Sequence, residues 1–138
     1  MPTPEASIQT ALFTRAASLV LSPVHPVAWP NSAFTPPANK KYLRVSHLPN
    51  TTDRLFVGNT DPHRHQGILQ IMVCAPLNSG EAAARELAGL VASHFPPGLR
   101  LHSGGVQVKI TKRANIASAL ITATELQIPV SIEYRAYT

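Results

Sequence analysis

The sequence predicts an α+β fold: a mainly antiparallel sheet of about four to five strands with two helices packed on one face. Three observations predict it. Tyr42–Pro49 and Leu126–Tyr137 alternate with period two, the mark of half-buried strands. Two other stretches, near the start and around Glu81–Phe95, place apolar residues at helical spacing. Their order, helix, strand, strand, helix, then strands, is that of segregated layers and not of alternating βα units. At 138 residues the chain favours one domain over residues 1–138.

The first helix is predicted from Pro4 to Leu21. Thr3 is placed to cap it, Pro4 stands where a missing N–H costs nothing, and Glu5 complements the helix dipole. Ile8, Leu12 and Leu19, with Ala11 and Ala16, form its apolar stripe. Residues 22–41 then carry Pro23, Pro26, Pro30, Pro36 and Pro37, which argues against regular structure. Val27, Trp29 and Phe34 are expected to pin this crossing segment to the domain.

The strand "YLRVSHLP" sets Leu43, Val45 and His47 against Tyr42, Arg44 and Ser46. Residues 50–66 read as a polar loop with an apolar centre, Leu55–Val57, expected to protrude as a hairpin or arm. The next strand is apolar on both sides. Gly67, Leu69, Ile71, Val73 and Ala75 point one way; Ile68, Gln70, Met72 and Cys74 point the other. A sheet with one helical layer buries only one face, so the second face needs a cover. Asn78 or Ser79 is the expected cap of the second helix, with Glu81 at capping-box spacing from Asn78. Ala83, Leu87, Leu90, Val91, His94 and Phe95 are its expected buried stripe, and "PPG" ends it. "LRLHSGGVQVKI" predicts a hairpin turning at Gly104–Gly105 with Val106, Val108 and Ile110 inward. Residues 111–125 show no period. In the last strand Leu126, Ile128, Val130, Ile132, Tyr134 and Ala136 share a face, and Pro129 argues for an edge or for a position turned away from its neighbour.

Only 14% of residues are charged, against about 25% in an average chain. Little polar surface favours a subunit of an assembly. The net charge of +5 invites a polyanion, yet the twelve Lys and Arg are scattered and lack interleaved aromatics, so nucleic-acid recognition is disfavoured. Cys74 is the one cysteine, so no intrachain disulfide forms, and it reads as a small buried side chain and not as a nucleophile. His63 and His65, near Asp61, lack further residues at metal-ligand spacing. The seven carboxylates offer no acid–base pair, and "HSGG" reads as a turn, not an anion site. No enzyme, cofactor or metal is expected. Met1–Leu21 lacks the basic start and continuous apolar run of a signal peptide, and no stretch is long and apolar enough for a membrane span.

"WPNSAFTPP" (29–37), "YLRVSHLPN" (42–50), "RHQGILQIMVCAPLNSG" (64–80), "FPPGLRL" (95–101) and "VSIEYRAY" (130–137) together resemble the tail terminator-like proteins of long-tailed phages and prophages. The resemblance implies a structural virion protein of the tail, assembled in the host cytoplasm. It implies a homo-hexameric ring on the head-proximal end of the tail tube that stops tube growth and joins the filled head. The implied partners are other copies of itself, the major tail tube protein and a head-completion or neck protein. Genome DNA would pass through the ring without specific recognition, with no membrane involved. Expected contact residues are Ile68 and Met72 on the second face of their strand, Arg54, Leu55 and Phe56 in the arm, and Arg135 and Tyr137 on the last strand. The alternatives are a head–tail connector, a tube subunit or a small basic nucleic-acid-binding module.

Overall fold

The structure, a computed structural model, describes residues 3–18, 27–30, 41–54, 63–77, 80–123 and 125–137. Helix α1 spans Pro4–Ala17, and the Thr3 hydroxyl accepts from the Ala6 N–H at 3.2 Å, as the capping pattern predicts. Ile8, Ala11, Leu12 and Ala16 are buried; Leu19 and Phe34 lie outside the described residues. Strand β1, Val27–Ala28, corrects the expectation of no regular structure in the proline-rich segment. It pairs in parallel with Leu43 and Arg44, so the chain is held on the sheet in the gap between Pro26 and Pro30. Trp29 follows it and stacks against Phe13 of α1, ring centroids 5.4 Å apart.

Three long strands form the body of the sheet: β2 (Tyr42–Arg54), β3 (His63–Pro76) and β8 (Glu125–Tyr137). Between them in sequence lie α2 (Ala82–His94), β4 (Arg100–Ser103), β5 (Val106–Ile110), β6 (Asn115–Ile116) and β7 (Leu120–Ile121). The order across the sheet is β1-β2-β3-β8-β5-β4, antiparallel apart from β1 with β2, and β6 and β7 also pair with β8. Among the described residues the strands number eight, not four to five. The excess is β1, β6 and β7, two residues each, too short to show alternation. Segment 106–121 is in effect one interrupted strand beside β8. Residues 111–114 stand against Ile132 and Glu133, and 117–119 against Ile128 and Pro129. Extra residues on one strand bend a ladder, and the sheet is strongly curled.

Residues 50–66 are mostly hairpin ladder. β2 and β3 stay paired out to Arg54↔His63, with a bulge where Asn50 and Thr51 face Gln66. The glycine turn after β4 is as predicted, Gly104 and Gly105 both having positive φ. Helix α2 departs from its expected stripe. Ala84, Leu87, Ala88, Val91 and Ala92 are buried, whereas Ala83 and Leu90 face outward. Its N-cap is Glu81, with no side-chain cap, while Asn78 and Ser79 lie outside the described residues. Three small alanines, Ala84, Ala88 and Ala92, let the helix lie close to the sheet. One cluster joins the buried residues of both helices to Leu43, Val45, Leu69, Ile71, Val73, Ile128, Val130 and Ile132. These strand residues all share the inner face.

Pro129 sits in a strand paired on both sides, so of the two expectations the edge fails and the position turned away from a neighbour holds. Its carbonyl accepts from Ala117 N–H at 3.0 Å, so its absent N–H also faces the interrupted 106–121 side, and the β3 ladder loses nothing. Gly67 has the tightest surroundings of the described glycines. A Cβ there would stand 2.7 Å from the Tyr134 hydroxyl, 2.8 Å from Leu48 O and 2.9 Å from Pro49 Cα. Two of these atoms are backbone, so the ladder itself would have to move. Gly67→Ala is therefore expected to cost about 1–3 kcal/mol in urea unfolding despite its gain in strand propensity.

Candidate functional site

The sheet face away from the helices is the surface left for partners. Cross-strand registers set its rows: Tyr42, Cys74 and Gln127; Arg44, Met72 and Pro129; Ser46, Gln70 and Ser131; Leu48, Ile68 and Glu133. The first row is covered within the chain. Tyr42 donates to Glu125 Oε2 at 2.6 Å, Gln127 Nε2 donates to Glu125 Oε1 at 2.6 Å, and Arg44 donates to the Tyr42 hydroxyl at 3.3 Å. Burial raises the Tyr42 hydroxyl well above its usual range, and the Glu125 bond adds to the effect. Burial likewise pushes the Cys74 thiol up to about 11, so it stays protonated and unreactive at neutral pH.

The remaining rows are open. Ile68, Gln70 and Met72 are half-buried, and Leu48 is 49% exposed. A groove of about 550 Å³ runs over Ser131 and Glu133 of β8, with Ile68 of β3 on one side and residues 112–115 on the other. A smaller neighbouring pocket brings Ile68 and Arg135 together. Met72 lies four residues beyond Ile68 on the same face, beside Arg44 and Pro129. Arg54 ends β2 opposite His63, and Tyr137 ends β8 between Arg64 and Gln107. Leu55 and Phe56 lie outside the described residues. Sequence periodicity misses Leu120 and Ile121, 52% and 77% exposed on β7. A two-residue strand gives no alternation to read, and the apolar pair "LI" among Ser, Ala and Thr is the available signal.

The helix-covered side holds two polar clips. His47 Nδ1 lies 3.1 Å from Gln9 Oε1 and Nε2 lies 2.6 Å from the Tyr134 hydroxyl; in the neutral tautomer protonated on Nδ1 the ring donates to Gln9 and accepts from Tyr134. Burial lowers the His47 pKa and raises that of Tyr134 to about 12. At the ends of both helices Arg15 donates twice to His94 O, at 3.0 and 2.9 Å, while His94 Nε2 donates to Arg15 O at 2.9 Å. Burial again lowers the His94 pKa, and the Arg15 charge pushes the same way against the hydrogen bond to Arg15 O. His63 begins β3 and His65 is buried. Among the described residues no three His, Cys, Asp or Glu gather to hold a metal, and no helix is long and apolar enough to cross a membrane.

The family model described as phage tail terminator protein matches residues 7–134. One solved structure, whose name states no activity, is similar at 28% identity and a TM-score of 0.77, covering 96% of this chain and 94% of that one. No curated protein matches the sequence.

Two outcomes follow from these environments. His47 and His94 have folded-state pKa values below the ordinary 6.5, so the unfolded chain takes up protons first as pH falls. Their contribution is present above about pH 6.5 and is lost on acidification, so urea midpoints drop between about pH 7.5 and 5.5. The double variant His47→Gln, His94→Gln should flatten that slope. Cys74 should resist a thiol reagent in the native protein and react once it is unfolded in urea.

Proposed function

The chain belongs to the phage tail terminator protein family, and from that premise we propose that it caps the head-proximal end of the tail tube, ends tube polymerisation and offers the surface to which the filled head is joined. The observation that carries this reading is the family match, which runs from α1 through Tyr134 of β8 and so takes in every residue of the core cluster except Ala136. The role is structural and without catalysis. Its partners are other copies of the chain in a closed ring of six, the major tail tube protein and a head-completion or neck protein.

The open rows of the outer face support an assembly role. Ile68, Met72 and Leu48 keep apolar surface in reach of solvent on a sheet whose other face is fully covered. A ring needs contacts that repeat head to tail and close, which uses two different surfaces of each subunit. The groove beside Ile68 and the protruding Leu120–Ile121 pair are two such surfaces on one chain.

Particle morphology tests the reading. A lysate lacking the protein is expected to contain overlong tails and unjoined filled heads. Met72→Glu, half-exposed and outside the core, should leave the unfolding transition within about 1 kcal/mol of the parent while reproducing that morphology. Joined tails of normal length in the deletion would overturn the terminator reading and favour another neck or tail component.

A further inference from the structure

The twelve Lys and Arg are scattered in sequence, yet the strand registers gather several of them. Lys109 of β5 pairs with Arg135 of β8 on one side and with Arg100 of β4 on the other. The three stand side by side across the outer face, with neighbouring strands about 4.8 Å apart. All three are exposed, and among the described residues none has an ion-pair partner. Lys112 and Arg113 border the same end of the face, where the nearest carboxylate, Glu133, already meets Lys112 at 3.4 Å. Like charges directly opposite one another destabilise a sheet. A bound anion would reverse the sign of that interaction.

We propose that this row, Arg100, Lys109 and Arg135, binds the phosphate backbone of duplex nucleic acid without reading its sequence. Two observations favour phosphate over an acidic protein. A protein interface is organised around buried apolar anchors, and the exposed large apolar residues, Leu48, Leu77, Leu90, Leu120 and Ile121, all lie outside the row. Across β4 and β5 the next pair in register is His102 and Gln107, both exposed and both able to hydrogen-bond. Such a surface suits phosphate oxygens, which take charge and hydrogen bonds alone. The inference goes beyond the terminator reading and does not depend on it.

Fluorescence anisotropy of the intact chain with a short labelled duplex of mixed sequence, from about 25 to 200 mM salt, tests the row. About three phosphate contacts predict a log–log salt slope of roughly −2.7. The triple variant Arg100→Gln, Lys109→Gln, Arg135→Gln should bind at least about tenfold more weakly with a flatter slope. Lys40→Gln, Lys41→Gln, Arg85→Gln, with the same change in net charge, should stay within about twofold of the parent. A thermal melt checks that the first triple folds; if it does not, Arg135→Gln alone should still weaken binding. The proposal is overturned by no binding at the lowest salt, by equal losses in both triples, by unchanged affinity in Arg135→Gln, or by a clear preference for polyglutamate over the duplex.

Discussion

The fold depends on one strand, β3, being paired along nearly its whole length on both sides. Its ladders with β2 and β8 keep the same parity, so Leu43 and Val45, Leu69 and Ile71, and Val130 and Ile132 fall on one face together. A slip of one residue in either ladder would turn half of this core to solvent. Gly67 fixes the phase. It is the position where Tyr134 on one side and Pro49 on the other approach the strand too closely for any side chain. The Tyr134 hydroxyl then reaches His47, which reaches Gln9 of α1, so the same residue that locks the register also docks a helix.

Much of this was legible in the sequence because the long strands alternate cleanly. The inner face of β8, the turn at Gly104–Gly105 and the Thr3 cap stand where residue types place them. Other features depend on tertiary context. Leu90 looks like a core residue by spacing, but the helix rolls so that Ala84, Ala88 and Ala92 meet the sheet, because small residues permit the closer approach. β6 and β7 exist only as partners of β8, and Pro129 is tolerated in a paired strand only because its bare side faces their interruption. None of these relations lies within a local window of sequence.

The charge pattern shows the same limit most clearly. Arg100, Lys109 and Arg135 are separated by nine and twenty-six positions, and sequence proximity gives no reason to group them. The ladder β4-β5-β8 makes them neighbours. The contacts expected from the sequence divide in a similar way. Ile68, Met72 and Arg135 are brought onto the same outer face, whereas Leu120 and Ile121, more exposed than Ile68 or Met72, belong to a segment whose period is too short to read.

The edges of the sheet bear on how such a chain can associate. An open edge of paired length is a template for adding further strands without limit. Here β1 and β7 offer two residues each, and β4, at the other end of the order, offers four before its turn. Pro30 follows β1 and cannot extend it as a donor. β1 covers only Leu43 and Arg44 of β2, so among the described residues 45–54 form the long edge of the sheet, interrupted by Pro49 and by the bulge at Asn50 and Thr51. A proline and a bulge blunt strand addition along that edge, while contacts through the partly apolar outer face and its bordering grooves remain open. Contacts that repeat head to tail close into a ring where the rotation between subunits closes and grow into a filament where it does not, so the angle between the two surfaces used decides which assembly forms.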